Sequence, residues 1–326
     1  MSPASADPVL PHPGRTLKVV AVVVSYNRRE LLAECLAAVA AQTRPVDAVV
    51  VVDNASTDGS AELVARTLPS ADLVRLGRNT GGAGGFAAGM ARAMDEHDAD
   101  LLWVMDDDTI ATPTTLAELT GAYLAYGPEL ALVASRVTWV DGQDQARNIP
   151  RPVPWNPSTR SRNRRRSAQL VGGRPMRTAC FVSLLVAADA VRATGLPTAD
   201  FFIWNDDFEF TARILRDRPG IYLPSAVVVH KTAHLGTRAA DPGERFFNEV
   251  RNKVWTFRAG RAFGGGERVL RIGVALVNWA RFYWHSHHRD VLRRALVRGL
   301  RDGLGTRPRP NRVVLSEAGF ELGEHW

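Results

Sequence analysis

Short β-branched runs, each closed by a polar side chain and separated by helical patterns, restrict this chain more than any other feature. From Lys18 to Val24 it is almost entirely valine, and it ends in Ser25-Tyr26-Asn27-Arg28. A run without polar alternation belongs to a strand buried on both faces, as in a parallel sheet. Leu32, Cys35, Leu36 and Val39 then recur at helical spacing, and residues 48–52 form a second buried strand that stops at Asp53-Asn54. Residues 72–76 and 101–105 supply a third and a fourth strand, with residues 84–96 helical between them. This β-α-β-α order predicts an α/β fold, a doubly wound and mostly parallel sheet with ligands at the carboxyl ends of its strands. Tyr26, Asp53, Asn79 and Asp106 all fall at or just beyond such ends. The sheet is expected to continue through residues 131–135 and through one buried strand over 177–186, followed by a short helix over 187–194. Residues 141–173 break the pattern with Pro, Asn and the cluster Arg160, Arg162, Arg164, Arg165 and Arg166. Such a run reads as a solvated or disordered loop, or as a mobile lid that contacts an anion.

The fourth strand runs straight into Asp106-Asp107-Asp108. Residues two apart share a face of an extended chain, so Asp106 and Asp108 point together and Asp107 away. Two converging carboxylates repel unless a hard cation lies between them, and Mg²⁺ or Mn²⁺ held this way usually completes its shell with phosphate oxygens. The bland alternative is a solvated acidic turn before a helix start at Thr112-Pro113. Arg78-Asn79-Thr80-Gly81-Gly82-Ala83-Gly84-Gly85-Phe86 is a glycine-rich turn feeding a helix, whose amides can face a phosphate or a sugar hydroxyl. A dinucleotide-binding loop is disfavoured, because that fingerprint follows the first strand of a unit, and here the first strand opens into Ser-Tyr-Asn. Trp204-Asn205-Asp206-Asp207 brings acids to a helix start with Asn205 as an N-cap, where acids also serve simply as dipole partners. A strand over 226–229 delivers His230 toward the same crevice.

Composition sets the partners. The 326 residues are 45% hydrophobic with a net charge of +7, and nearly all the positive charge is arginine, which favours anionic partners. No groove-reading motif accompanies it, so nucleic acid is not expected. Cys35 and Cys180 form no metal-like spacing and no disulfide framework, which points to a reducing cytosol. Residues 1–16 read as a disordered leader, 17–240 as a catalytic domain and 241–326 as a helical Arg- and Trp-rich tail. Residues 269–284 of that tail are apolar nearly all round but are interrupted by Arg271, Asn278 and Arg281. They suit a helix lying in a membrane interface or one packed on the domain.

Taken together, Val24-Ser25-Tyr26-Asn27-Arg28, Val52-Asp53-Asn54, the glycine-rich turn, Met105-Asp106-Asp107-Asp108, Trp204-Asn205-Asp206-Asp207, His230, Arg245-Phe246-Phe247 and Arg251-Asn252 resemble the inverting glycosyltransferases of family 2. Within that family the chain is most similar to actinobacterial cell-wall galactofuranosyltransferases. The resemblance implies a Rossmann-like GT-A fold with a helical C-terminal extension. It implies Mn²⁺ or Mg²⁺ on Asp106, Asp108 and His230. A nucleotide-sugar donor, with UDP expected, would lie against Ser25, Asn27, Arg28, Asp53, Asn79, Gly81, Gly82 and Asp107. Asp207 would be the general base, with Asp206 beside it on acceptor or donor hydroxyls. The implied activity is transfer of galactofuranose from UDP-galactofuranose to a polyprenyl-diphosphate-linked cell-wall glycan. The enzyme would be cytoplasmic and peripheral to an anionic membrane surface. Rhamnosyl transfer from dTDP-rhamnose is the alternative within the class, and a non-catalytic membrane-binding module the alternative outside it.

Overall fold

A computed structural model describes residues 17–154, 158–235 and 241–326. The expected leader lies outside the described residues. The first half alternates as anticipated: β1 (Val19–Ser25), α1 (Arg29–Ala40), β2 (Ala48–Asp53), α2 (Ser60–Thr67), β3 (Asp72–Arg75), α3 (Gly81–Asp95) and β4 (Leu101–Asp106). These strands lie in the order β3-β2-β1-β4 and all pair in parallel. Val19 to Val23 are fully buried, as a strand covered by helices on both faces must be. The strand order reverses between β1 and β4, whose ends meet at the pairing of Val24 with Asp106. A crevice at such a switch point is where ligands of this architecture bind.

The second half is mixed. After β5 (Thr109–Ala111), α4 (Thr115–Tyr126) and β6 (Leu132–Thr138) come β7 (Arg151–Pro152), α5 (Thr159–Leu170), β8 (Arg174–Thr178), β9 (Leu184–Ala187), α6 (Ala188–Thr194), α7 (Asp206–Ile214) and β10 (Gly220–His230). Strand β9 is antiparallel to both β4 and β6, β10 runs parallel to β6, and β5 and β8 pair antiparallel with β10. Two expectations are corrected here. The single strand over 177–186 is two strands in different parts of the sheet, broken at Ser183, which takes φ 54°. Its hydroxyl accepts from Trp103 Nε1 at 3.0 Å. A continuously buried sequence gives no periodicity from which that break could be read. The arginine cluster is helical, on α5, with Ser158 Oγ accepting from the Ser161 amide at 3.3 Å as its N-cap.

The region after residue 241 folds as α8 (Phe246–Ala259), α9 (Gly265–His285), α10 (Arg289–Gly305) and α11 (Asn311–Ser316). Phe246, Val250, Phe257, Phe263, Trp279 and Leu292 join Ala212 of α7 in a second core. Helices α8 and α10 approach closely because Gly299 and Gly303 face Val250 and Val254, where any Cβ would clash at 2.8 and 2.7 Å. Val314, Leu315, Ala318 and Leu322 return to the main core, and Gly77 N donates to Ala318 O at 2.8 Å. The C-terminal segment therefore closes over the first half of the sheet. Trp279 and Phe282 pack on Phe246, whereas Trp284, 67% exposed, meets only the Tyr283 ring and the Arg289 guanidinium among the ring and cation contacts of the described residues. Among the described residues no helix is long and apolar enough to cross a membrane.

Candidate active site

Strand β4 ends at Asp106, and the chain turns through Asp107 and Asp108 into β5, which pairs Thr109 with His230 at the end of β10. The convergence of Asp106 and Asp108 thus comes from a turn between two strands, where simple strand alternation was expected. One ligand atom from each of Asp106, Asp108 and His230 lies within 4.8 Å of the others. His230 Nε2 is 3.0 Å from Asp108 Oδ1, and its Nδ1 is 3.2 Å from Asn148 Oδ1. The ring is thus held between Asn148 and the carboxylates, with Nε2 toward Asp108. Asp108 Oδ1 is buried without a hydrogen bond of good geometry. Burial, and then the charge of Asp108, push Asp106 up to about 8. Burial would also raise Asp108, but His230 and Arg28 hold it below the usual carboxylate range. A carboxyl driven toward its neutral form beside a second that His230 and Arg28 hold ionised is a crowded anionic site that a divalent cation would relieve. An oxygen-rich donor set with one imidazole fits Mn²⁺ or Mg²⁺.

Asp107 faces the other way, as alternation predicts. Its carboxylate accepts from Ser25 Oγ at 2.9 Å and from the Tyr26 amide at 3.2 Å. Arg28 Nη1 reaches it at 3.3 Å and also pairs with Asp108. Asp107 therefore braces the loop after β1 against the acidic turn. Burial still pushes it up to about 6.

Across the crevice, Asp206 and Asp207 open α7, preceded by Phe202, Trp204 and Asn205 with φ of 64°, 68° and 66°. Three left-handed non-glycine residues so close together are strained and need holding. Asn252 on α8 does this: its amide donates to the carbonyls of Phe201 at 2.9 Å, Ile203 at 3.1 Å and Trp204 at 2.8 Å. Arg251 adds bonds to the carbonyls of Asp200 and Phe201 at 3.1 and 3.2 Å. Asn205 makes no side-chain cap. In place of the expected N-cap bond its amide donates to Glu249 Oε2 at 2.8 Å. From the other side Ala83 N donates to Phe202 O at 3.1 Å. Gly81, at φ +69°, passes so close that a Cβ would sit 1.9 Å from that same oxygen. The glycine turn is thus the first turn of α3, three residues earlier than periodicity suggested, and it is locked to the loop that presents the acid pair.

The two acids are not equivalent. Burial, then the charge of Asp207, push Asp206 up to about 8. Burial raises Asp207 too, but the Phe208 amide at 2.6 Å, the Cys180 thiol and the charge of Arg151 all favour its ionised form. Both carboxyls are thus raised, and because the two interact the titration belongs to the pair.

These groups line one cavity of about 830 Å³. Arg28, Gly82, Asp106, Asp108, Asp206, Asp207 and His230 are brought together there, with Asn278 and Arg281 of α9 on the far wall. Ser25, Asn27, Asp53, Asn79, Gly81 and Asp107, also expected on the donor, do not line this cavity. Ser25 is spent on Asp107, Asn27 Oδ1 accepts from the Thr57 amide at 2.7 Å, Asp53 Oδ1 from the Ser56 amide at 3.3 Å, and Asn79 Oδ1 from the Gly81 amide at 2.7 Å.

Residues 20–190 match the sequence profile described as glycosyl transferase family 2. The chain belongs to this family. Family 2 relatives include galactofuranosyltransferase GlfT1 of Mycolicibacterium smegmatis, 36% identical over 199 residues that cover 61% of this chain and 65% of that protein. GlfT1 of Mycobacterium tuberculosis strain H37Rv is 32% identical over 285 residues, covering 82% of this chain and 88% of that protein. The chain thus spans just under two thirds of the first relative and most of the second. Among solved structures, S. aureus TarS 1–349 in complex with UDP-GlcNAc superposes with a TM-score of 0.57 at 16% identity, over 92% of this chain and 84% of that one. A Pyrobaculum calidifontis mannosyltransferase in complex with GDP-Man and Mn²⁺ gives 0.50 at 20% identity, over 95% and 82%. This is the GT-A fold with a helical C-terminal region. The Arg251-Asn252 pair acquires a physical role that its spacing did not announce, because helical periodicity shows only a polar pair and not the three carbonyls that Asn252 meets.

Asn252→Ala is expected to leave the fold intact but release the strained loop, lowering kcat about tenfold or more with little change in donor KM. Steady-state kinetics on the purified variant measure this, and a variant with unchanged kcat would show that the loop holds itself. Loss of hydrogen bonds to buried carbonyls should also reduce stability by about 1–3 kcal/mol, read from urea denaturation.

Proposed function

We propose that this protein is an inverting, divalent-cation-dependent galactofuranosyltransferase. Its donor would be UDP-galactofuranose and its acceptor a polyprenyl-diphosphate-linked glycan at the inner face of the cell membrane. The observation that carries the reading is that one cavity is flanked by two acidic clusters of different character, a carboxylate-imidazole trio and a carboxyl pair at a helix start. Direct displacement at a sugar carbon needs a stabilised leaving group, a base and a positioned acceptor. Asp106, Asp108 and His230 would hold Mn²⁺ or Mg²⁺, which when bound supplies Lewis-acid stabilisation of the leaving diphosphate. Asp207 takes the proton of the acceptor hydroxyl. Asp206, raised to about 8 by burial and the charge of Asp207, would donate a hydrogen bond to a sugar oxygen. Likeness to proteins named galactofuranosyltransferases supports the sugar.

Membrane contact is supported by the outer face of α9. There Val269, Leu276, Val277 and Trp284 are exposed, while Asn278 and Arg281 of the same helix line the cavity. A helix that is apolar outside and walls the cleft inside would bring the cleft mouth to a bilayer surface. Nucleotide release from a panel of UDP- and dTDP-sugars tests the donor. UDP-galactofuranose is expected to turn over, and turnover of dTDP-rhamnose alone would replace this reading by rhamnosyl transfer. The same preparation is expected to co-sediment with anionic vesicles at low salt and to be released by high salt. Equal sedimentation with neutral vesicles would remove the anionic surface from the proposal.

A further inference from the structure

A second cavity, about 540 Å³, lies among α5, β8, the start of β10 and the first turn of α9. Its walls carry Arg164, Arg165, Arg177, Arg216 and Arg218 but a single carboxylate, Glu267. That carboxylate is shared. Arg177 Nε is 3.1 Å and Arg271 Nη2 3.3 Å from Glu267 Oε1, with the arginine side chains only 7% and 13% exposed. Two buried cations on one anion leave a positive charge uncompensated where water is scarce, which is unfavourable unless another anion is near. Two observations record that imbalance. Arg271 Nε is buried without a hydrogen-bond partner. Burial holds Arg177 below its ordinary value, and although Glu267 opposes this, Arg271 and Arg216 add repulsion. Arg216 donates to the carbonyls of Gly260 and Arg261 at 3.1 and 3.2 Å, which fixes its position without neutralising it. Arg218 has a carboxylate of its own, Asp189 at 2.7 Å.

We propose that this cavity binds a phosphate ester at a site separate from the donor cleft. Several guanidiniums converging from different elements suit an anion with several oxygens. The hydroxyl-bearing Ser158 and Ser161 also line the cavity. The remaining wall, with Val153, Met176, Leu215 and Leu270, is apolar and takes the organic part of the ester. Leu270 is also 58% exposed on the outer face of α9, so the ester is supplied either by a lipid headgroup or by a soluble metabolite.

The test uses the full chain in EDTA, which keeps phosphate from associating with a cation at the Asp-His trio. Millimolar inorganic phosphate and glycerol 3-phosphate are expected to raise Tm in thermal-shift titrations. Arg164→Ala combined with Arg165→Ala is expected to raise the half-saturating concentration by about tenfold or more. Arg271→Met removes the unbalanced charge, so it is expected to raise Tm without phosphate and to blunt the phosphate response. No shift in the wild type, or equal half-saturation in the wild type and both variants, overturns the site. Vesicles of phosphatidylcholine with and without phosphatidylglycerol identify the source. Phosphatidylglycerol-dependent sedimentation that falls in the Arg164→Ala, Arg165→Ala variant assigns a headgroup. Unchanged sedimentation with a lost phosphate response assigns a soluble ester.

Discussion

Asp108→Asn is expected to abolish metal-dependent binding of UDP-sugar and to lower turnover by about 10³ or more, since a bound cation supplies several kcal/mol of charge stabilisation and each 1.36 kcal/mol is tenfold. The amide keeps the shape of a side chain that is 2% exposed but removes the charge facing His230 Nε2. Asp106→Asn should behave alike. Asp107→Asn should keep Mn²⁺ binding and lose stability, because Asp107 is turned to Ser25, the Tyr26 amide and Arg28. Titration calorimetry with Mn²⁺ separates the cases, and an equal loss of metal affinity in all three variants would show that the trio is not the ligand set. The pKa directions add a check. Asp106, raised to about 8, must lose its proton to ligate, so metal binding should release protons at neutral pH and weaken as pH falls. Calorimetry in buffers of different ionisation enthalpy reads that release.

Asp207→Asn is expected to retain donor and metal binding while kcat falls by about 10²–10⁴, the usual contribution of a general base. The base works ionised, so the acid limb of the wild-type pH profile should lie above the ordinary carboxylate range, with activity present above the limb and lost as pH falls through it. Asp206→Asn should act more on KM. It also has a signature in stability. The folded-state pKa of Asp206 is raised, so the folded protein holds a proton that the unfolded chain releases, and stability falls as pH rises from about 4 to about 8. A neutral amide removes that penalty. Asp206→Asn should therefore melt higher than wild type at pH 8 and not below pH 4. If instead Asp207→Asn keeps wild-type kcat and Asp206→Asn is inactive, the base is Asp206.

Both expectations rest on groups that were visible in the sequence, but not on geometry that was. The valine run of β1 and the apolar segment of β4 could be read as buried strands of a parallel sheet from composition and spacing alone, because a run without polar alternation belongs to a strand covered on both faces. The positions of Asp106 and His230 at strand ends, and of Asp206 and Asp207 at a helix start, followed from element order. The second half of the sheet was less legible. Residues 177–186 contain no glycine or proline to mark a break, and a nearly buried segment looks the same whether it is one strand or two with a left-handed turn between them. The helical arginines of α5 were read as a loop because their charge hides any periodicity.

Local chemistry thus determined the parallel half of the sheet, the acidic strand end, the acid pair at a helix start and the family to which the chain belongs. Only the tertiary structure decided which acids share a cavity, why Asp107 is excluded from it, and which groups oppose the effect of burial on Asp207. It alone revealed the grip of Asn252 on the strained loop, the close passage of Gly81 against Phe202, and two buried arginines sharing one glutamate. The physical reason is common to all of these. Secondary structure and burial follow from patterns within about one element's length, whereas the ionisation of a carboxylate and the hold on a loop depend on groups tens to hundreds of residues away, whose positions exist only once the chain has folded.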